Sequence, residues 1–388
     1  MKKIMLLSAV ILFIGTIAAA QTKAAAHTFK VEEQSFQRSG MKIYGKLFLP
    51  DSTSPVPLVI LSHGFGGNHG GVKGYAAAFA EQGIAAYIFD FIGGGNHIKS
   101  DGKMTEMSVL TEAEDLTVIL DNLKADSRFK PEQIFLLGES QGGFVSTYIA
   151  ALRPADVAGL VLLYPAFVLN DYVRQRTPNP ERIPDTMKLL GKTIGRIYNE
   201  DVLSFDIYTL MPRYSGKTLI IHGTADSLVP LSYSERAVKT FPDAKLIKLD
   251  GAKHVFYGDM MQKAAEDAVK FVQSIIDEKR SFNCNVFRFA SRCEIGKSME
   301  SSSRINGLHI YCGVPSGFIS SIGRSRIIIL YVPSSSPRIR SASVSFKSLC
   351  IVLLIKSFDT IGVNFHIGAG AIEPKEKLRN LRSASRTA

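Results

Sequence analysis

One hexapeptide, Gly138-Glu139-Ser140-Gln141-Gly142-Gly143, restricts the backbone around it to a single kind of turn. An apolar run of strand length, 133–137, precedes it, and a helical segment, 144–152, follows it. A strand, a turn flanked by glycines and a helix together indicate a nucleophile elbow. We expect Ser140 to adopt a strained backbone conformation, and any side chain at position 138 or 142 would crowd the turn. Because the motif alone is weak, partners for this serine must be sought elsewhere in the chain.

The N-terminus has the pattern of a secretory signal peptide. Lys2 and Lys3 precede an uncharged apolar run, Ile4–Ile17, and three alanines, Ala18–Ala20, follow it. This run is too short to span a bilayer comfortably, so we expect no stable membrane span after cleavage. Residues 1–20 are therefore interpreted as a signal peptide cleaved after Ala20, with cleavage after Ala26 as the second choice. An uncleaved anchor is the alternative to a signal peptide. The mature protein is expected to be secreted or periplasmic.

Residues 281–388 differ in composition from the rest of the chain. They hold all 4 cysteines and 15 of the 46 Lys and Arg residues, but only 5 of the 35 Asp and Glu residues. This basic, Ser-rich tail lacks clustered aromatic residues, an amphipathic helix and zinc-like Cys spacing, so no nucleic-acid partner is expected. We interpret it as a read-through or out-of-frame product. A disordered extension and a small accessory domain are the alternatives.

Between residues 27 and 279, apolar runs of strand length alternate with helical segments. Two alternating runs at the start, 28–36 and 41–49, predict an antiparallel hairpin. Buried strands are predicted at residues 58–62, 84–89, 133–137, 159–164, 218–221 and 245–249. Helices are predicted at residues 75–82, 108–124, 144–152, 232–241 and 260–278. This alternation predicts one α/β domain with a mostly parallel central sheet and helices on both faces.

Three polar residues follow predicted strands within five residues, at the edge of a parallel sheet where ligands bind. These are Ser140, Asp226 and His254, in the order that an elbow serine requires of its partners. A His imidazole can take the serine proton, and a carboxylate can hold the imidazole in the correct tautomer. The sequence therefore predicts a catalytic triad. Asp250 is the rival of Asp226, which its position favours, and His222 is expected to be a structural neighbour of the loop.

Acyl transfer also requires N–H donors for the oxyanion of the tetrahedral intermediate. The expected pair is the backbone N–H of Gln141, directly after the serine, and that of Phe65, in the Gly-rich loop after the first parallel strand. The alternative is that the glycines beside Phe65 are ordinary turn residues.

Neither a metal nor another cofactor is expected. His63, His69 and His97 have no acidic or Cys partner at ligand spacing. The Gly-rich segment 93–96 does not match the G-x-G-x-x-G fingerprint of dinucleotide binding.

Taken together, these motifs resemble the α/β-hydrolase superfamily, and within it the exported bacterial cinnamoyl/feruloyl esterases. The resemblance covers residues 28–278 and rests on His63-Gly-Phe-Gly-Gly67, Lys99-Ser-Asp-Gly-Lys103, Gly138–Gly143, His222-Gly-Thr-Ala-Asp226, Gly251-Ala-Lys-His254 and Asn179–Asp185. It implies a small lid insertion at about residues 167–213. Phe167, Tyr172 and Tyr198 of this lid would contact the substrate, or alternatively form the packing of the lid itself.

The sequence thus predicts a serine carboxylic-ester hydrolase that works through an acyl-enzyme. By resemblance, the substrate would be a small-molecule or polysaccharide-linked ester, such as a feruloyl, cinnamoyl or acetyl ester of plant polysaccharide. A serine peptidase of the prolyl-oligopeptidase type is the alternative enzyme. An inactive binding protein on the same fold is the alternative from another class.

Overall fold

The apolar runs of the sequence form the middle of an eight-stranded sheet. The structure is a computed structural model, and it describes residues 26–95, 97–292, 302–305, 308–311, 325–332 and 349–356. The strands that precede the long C-terminal helix are β1 (Phe29–Glu33), β2 (Phe36–Arg38), β3 (Met41–Ile43), β4 (Gly45–Pro50), β5 (Val56–Ser62), β6 (Ala85–Phe89), β7 (Phe129–Glu139), β8 (Gly159–Leu163), β9 (Thr186–Leu189), β10 (Lys192–Gly195), β11 (Thr218–Gly223) and β12 (Ala244–Leu249).

The sheet is antiparallel at one edge and parallel elsewhere. Its strand order is β1-β4-β6-β5-β7-β8-β11-β12. Strand β4 pairs antiparallel with β1 and β6, and the remaining neighbours pair in parallel. This agrees with the predicted antiparallel start and parallel centre. Strands β2 and β3 form a separate antiparallel hairpin that interrupts the predicted pair.

Helices cover both faces of the sheet. They are α1 (Lys73–Ala80), α2 (Val109–Ala125), α3 (Gln141–Leu152), α4 (Leu169–Arg176), α5 (Arg196–Leu203), α6 (Ile207–Leu210), α7 (Leu231–Thr240) and α8 (Gly258–Arg292), with 3-10 turns at Pro180–Arg182 and Met211–Arg213. Because side chains alternate along a strand, Ile60 of β5 joins the core cluster of α2 and α3, whereas Leu61 joins the cluster that includes α1 and α8. The predicted mostly parallel α/β fold is confirmed.

The N-terminus of α2 lies where the helix was predicted to begin, with Ser108 as its N-cap. The Ser108 hydroxyl accepts hydrogen bonds from the N–H groups of Leu110 and Thr111, and the Thr111 hydroxyl accepts one from the N–H of Ser108. Ser108 is favoured because its own backbone is extended, which a residue inside the helix cannot be.

The segment between β8 and β11 includes residues 167–213, for which the resemblance predicts a lid. It comprises helices α4 to α6 and the two-stranded β9–β10 hairpin. The hairpin reverses at Leu190 and Gly191, which have φ values of 46° and 75°. Helix α5 follows the hairpin directly, so the lid has secondary structure of its own.

Helix α8 extends further than the sequence analysis predicted. The predicted helix ends at residue 278, but α8 ends at Arg292 because no Gly or Pro interrupts residues 259–292. The chain divides into two compact units, Met1–Ile276 and Asp277–Ala388. The second includes strands β13 (Ser302–Ile305), β14 (Leu308–Tyr311), β15 (Ser325–Val332) and β16 (Leu349–Lys356), which form a four-stranded sheet in that order.

Two predictions concern residues for which the structure gives little or nothing. The signal peptide, residues 1–20, lies outside the described residues, so cleavage and export stay predictions. The described parts of 281–388 are the end of α8 and the four strands, and the rest of the tail lies outside the described residues. Its interpretation as a segment that is not an evolved domain also stays a prediction.

Candidate active site

Ser140 occupies the turn between β7 and α3 with a backbone that serine rarely adopts. Its φ is 50° and its ψ is −118°. A positive φ brings the side chain of any L-residue close to its own backbone. The strained turn predicted from the sequence is therefore present, and it places Ser140 between the carboxyl end of a central strand and the first residue of a helix.

The glycines on either side of Ser140 are required by close backbone contacts. A Cβ atom on Gly138 would lie 2.3 Å from the carbonyl oxygen of Gly142. A Cβ atom on Gly142 would lie 2.4 Å from the carbonyl oxygen of Ser62 and 2.5 Å from that of His63. Both contacts are to backbone, which cannot rotate away as a side chain can. The elbow is thus packed directly against the end of β5.

Asp226 lies in the loop after β11 and is held by four hydrogen bonds. Its Oδ1 accepts from the N–H groups of Leu228 and Val229, both at 2.9 Å. Its Oδ2 is 2.7 Å from His254 Nδ1 and 3.1 Å from His222 Nε2. Burial alone would raise the pKa of Asp226, but the hydrogen bonds from His222 and His254 hold it well below its usual range. Asp226 therefore stays ionised near neutral pH.

His254 follows β12 and connects Asp226 to Ser140. Because Asp226 accepts at Nδ1, that nitrogen carries the hydrogen, and Nε2 is left to accept from the Ser140 hydroxyl at 3.0 Å. The ring also packs edge-on against Tyr164, with ring centroids 4.9 Å apart. The next residue, Val255, has a φ of 65°, which is unusual for a β-branched residue.

The structure brings Ser140, His254 and Asp226 together and leaves Asp250 apart. The Asp250 side chain is exposed and accepts a hydrogen bond from Thr224. His222 is buried below the loop, where its Nδ1 accepts from Ser234. In this arrangement a serine hydroxyl can lose its proton to an imidazole whose other nitrogen is held by a carboxylate.

The loop that carries Phe65 passes directly over Ser140. A Cβ atom on Gly64 would lie 3.1 Å from Ser140 Cβ. The loop is fixed by hydrogen bonds from Gly66 N–H to Gly94 O and from Gly67 N–H to Gly64 O. Among the described residues, the N–H of Phe65 donates no such bond. As the first residue of α3, Gln141 also has an N–H without a partner inside its own helix.

Two of the three histidines that were weighed as metal ligands have other partners. His63 is buried, accepts from Phe91 N–H at Nε2 and lies 2.8 Å from Gly64 O through Nδ1, and burial lowers its pKa. His69 lies 2.8 Å from Asp90. In the part of the chain that the structure describes, no group of three or more His, Cys, Asp or Glu residues could hold a metal ion.

A small cavity of about 50 Å³ opens beside Ser140. Tyr172 and Tyr198 line it, together with Phe65, Leu189 and Leu228. Their contact with a substrate stays a prediction. Its lining contains no charged side chain among the described residues.

Phe167, the third predicted substrate contact, is placed differently. It is buried and packs on Tyr208, with ring centroids 5.8 Å apart, and it does not line the cavity. This placement favours the alternative, in which Phe167 forms part of the packing of the lid, over a contact with the substrate.

Two buried carboxyl groups were missed by the sequence analysis. Glu139 accepts hydrogen bonds from Tyr164 and from the N–H of Gly64, and burial raises its pKa despite these bonds. Glu112 lies on the buried face of α2 and accepts a hydrogen bond from the Gln141 side chain. An acidic residue on the apolar face of a predicted helix is the signal that could have revealed Glu112.

An eight-stranded, mostly parallel sheet with a strained serine elbow defines the class of protein as an α/β-hydrolase. The chain belongs to the α/β-hydrolase superfamily of serine esterases and lipases. It is 30% identical over 269 residues to the monoacylglycerol lipase of Mycolicibacterium smegmatis, covering 59% of this chain and 92% of that protein. It is 26% identical over 255 residues to human monoglyceride lipase, covering 57% and 82% of the two chains.

Two further comparisons agree with this assignment. The sequence model of the family described as "Serine aminopeptidase, S33" matches residues 53–206. The structure of Est1E from Butyrivibrio proteoclasticus with bound ferulic acid superposes with a TM-score of 0.59 at 24% identity, covering 63% of this chain and 99% of that one. At this identity the likeness concerns the fold.

None of the helices in the described residues has the length and apolar composition needed to cross a membrane.

Proposed function

We propose that this protein is a serine ester hydrolase in which Ser140, His254 and Asp226 form the catalytic triad. The observation that carries the proposal is the continuous chain from Ser140 Oγ to His254 Nε2 at 3.0 Å and from His254 Nδ1 to Asp226 at 2.7 Å. The uncharged cavity beside the serine supports it, because an apolar acyl group needs such a lining.

The proposed reaction starts with transfer of the Ser140 hydroxyl proton to His254 Nε2. Ser140 Oγ then forms a bond to the ester carbonyl carbon, and the oxyanion accepts hydrogen bonds from the N–H groups of Phe65 and Gln141. When the tetrahedral intermediate collapses, the ester C–O bond breaks and the imidazolium returns its proton to the leaving alcohol. Water, activated by His254, then hydrolyses the acyl-enzyme by the same steps. Asp226 stays ionised throughout and stabilises the imidazolium.

The small volume of the cavity favours a short or aromatic acyl group. Its uncharged lining disfavours a charged acyl group. A volume of about 50 Å³ has room for a few water molecules, which corresponds to a short chain or part of a ring. An aminopeptidase must also bind the α-ammonium group of its substrate, for which a carboxylate is the usual partner. The cavity, as far as it is described, has no carboxylate in its lining. We therefore favour an esterase over an aminopeptidase.

Two natural ester classes follow from the relatives and motifs. Monoacylglycerols are proposed because the relative at 30% identity is a monoacylglycerol lipase. Feruloyl and acetyl esters of plant polysaccharide are proposed because the motifs of the sequence resemble those of cinnamoyl/feruloyl esterases. Both classes join an uncharged acyl group to an alcohol, so the same triad serves either substrate.

The test is a substrate panel with a matched pair of serine variants. We expect p-nitrophenyl acetate and butyrate to be hydrolysed faster than the palmitate ester, and methyl ferulate and a monoacylglycerol are compared with aminoacyl p-nitroanilides. Ser140→Ala should lower kcat about 10⁴-fold or more. Ser146→Ala is the control, because Ser146 is buried in the same helix and its hydroxyl has no partner among the described residues. Hydrolysis of the anilides alone would favour the peptidase, and no turnover of any substrate would favour the inactive binding protein.

A further inference from the structure

The side chain of Gln141 is buried and hydrogen-bonded at both ends. Gln141 is 1% exposed and directly follows the proposed nucleophile. Its Nε2 donates to Glu112 Oε2 at 2.9 Å, and its Oε1 accepts from the Tyr198 hydroxyl at 2.6 Å. A buried amide with both polar atoms paired has little freedom to rotate. The backbone of Gln141 is therefore held from α2 on one side and from the lid on the other.

Tyr198 also contacts the second proposed oxyanion residue. Its ring packs edge-on against the Phe65 ring, with centroids 5.8 Å apart and planes at 70°. Tyr198 is fully buried and comes from helix α5 of the lid. One lid side chain thus touches both residues whose N–H groups are proposed to bind the oxyanion.

Helix α5 is itself tied to α2. Asp201, three residues after Tyr198, accepts a hydrogen bond from the hydroxyl of Ser108, the N-cap of α2. Glu112 lies four residues further along the same helix. Glu112, Gln141 and Tyr198 therefore lie on α2, on the elbow and on the lid, respectively. The hydrogen bond between Ser108 and Asp201 joins α2 to the lid a second time.

Glu112 accepts the hydrogen bond from the Gln141 side chain. Burial raises the pKa of Glu112 well above its usual range, despite this hydrogen bond. Burial thus disfavours a negative charge on the side chain that holds the Gln141 amide. An ionised carboxylate in the same place would oppose the charge that develops in the transition state.

We propose that Tyr198 is a positioning residue that holds the Phe65 and Gln141 N–H groups in place for the oxyanion, acting through the Phe65 ring and the Gln141 side chain. This inference rests on the proposed function. Tyr198 would thus serve transition-state stabilisation, in addition to its predicted contact with the substrate.

The variant Tyr198→Phe removes the hydroxyl and keeps the ring. It leaves Gln141 Oε1 buried without its partner, and we expect kcat for p-nitrophenyl butyrate to fall about tenfold with KM changed less than about twofold. The inhibition constant of phenylboronic acid, which forms a tetrahedral adduct with a serine, should rise by the same factor as kcat falls. Tyr214→Phe is the control, since the buried Tyr214 hydroxyl donates to Val157 O outside the cavity. It should leave all three values unchanged.

A double-mutant cycle shows whether the hydroxyl acts through the amide. In a Gln141→Met background, which keeps the backbone N–H, adding Tyr198→Phe should change kcat by less than about twofold. An equal loss in both backgrounds overturns the inference, as does a higher KM with unchanged kcat and unchanged boronate inhibition. If Tyr198→Phe does not fold, Gln141→Met alone carries the test, and an unchanged kcat overturns the inference.

Measurements on the wild type distinguish a failure of this inference from a failure of the proposed function. Normal ester turnover by the wild type together with an unaffected Tyr198→Phe overturns the role of Tyr198 alone. A wild type that hydrolyses no ester and whose Ser140 stays unlabelled by a fluorophosphonate overturns the proposed function, and the inference with it.

Discussion

At Ser140, the strained backbone and the tightly packed neighbouring glycines together hold the serine side chain towards His254. The φ of 50° points the side chain out of the turn and towards His254, and Ser140 Oγ lies 3.0 Å from His254 Nε2. A non-glycine residue at positive φ raises the free energy of the folded chain by about 1–2 kcal/mol. The contacts of Gly138 and Gly142 with neighbouring backbone keep the turn from relaxing into an ordinary helix start.

The variant Gly142→Ala tests this packing. Its Cβ would meet the carbonyl oxygens of Ser62 and His63 at 2.4 and 2.5 Å, and backbone must move to make room. We expect the free energy of unfolding to fall by about 1–3 kcal/mol, measured by urea denaturation, and ester turnover to fall about tenfold or more.

Gly74→Ala is the matched control for that substitution. Gly74 is also the second residue of its helix, but its nearest neighbour is the end of the flexible Met261 side chain, at 2.8 Å. We expect a change of less than about 1 kcal/mol there, because Ala also favours the helix. A Gly142→Ala variant as stable and active as the wild type would show that the elbow has space for a side chain.

Among single residues, those next to the ends of strands could be predicted from the sequence. Ser140, Asp226 and His254 each follow an apolar run, and the edge at which they meet is a property of parallel sheets. The chain of Tyr198, Gln141 and Glu112 could not be predicted in this way. Its members are far apart in sequence and meet only through the tertiary packing of the lid on α2.

At the scale of elements, the β2–β3 hairpin is attached to α2 by a buried ion pair. Arg38 donates to Asp115 at 2.5 Å and also pairs with Glu114, and the N–H of Ile92 donates to Asp115. Burial raises the pKa of Asp115 to about 6, although Arg38 and the Ile92 N–H lower it. In the unfolded chain an Asp titrates near 3.9.

This difference predicts how stability depends on pH. The folded state binds the Asp115 proton more tightly than the unfolded state does. The contribution of that proton to stability is therefore fully present below about pH 4 and is lost as the pH rises through about 6. The loss is on the order of 3 kcal/mol.

Urea unfolding between pH 4 and pH 7.5 measures this effect by comparing the wild type with Asp115→Asn. The wild type should lose stability relative to the variant as the pH rises, because only the wild type must release that proton. Asp121→Asn, on the more exposed side of the same helix, controls for the loss of a carboxylate. Parallel curves for the wild type and Asp115→Asn would contradict the prediction.

The lid is the element for which sequence reasoning was least complete. Its position between β8 and β11 could be inferred by resemblance, but the roles of its aromatic residues depend on which side of each helix meets the core. Tyr172 and Tyr198 reach the cavity, whereas Phe167 packs on Tyr208. Apolar and aromatic side chains serve both purposes, so composition alone cannot separate them.

At the scale of the whole molecule, the alternation of buried runs and helical segments was enough to predict the sheet and its two covered faces. Right-handed crossovers between parallel strands limit the strand orders that such a sheet can have. The point at which α8 ends could not be predicted from the apolar residues of this segment that face the core. Residues up to Ile276 pack in the core, and the helix continues to Arg292.

The central proposal for the whole molecule is that one serine, Ser140, is the nucleophile. The most direct measurement is the reaction of the whole protein with a fluorophosphonate, followed by intact mass and peptide mapping. We predict one adduct per chain, located on Ser140, with ester turnover lost in proportion to labelling and no adduct in Ser140→Ala. Labelling of another residue, or full turnover by a protein whose Ser140 is blocked, would contradict the proposed triad.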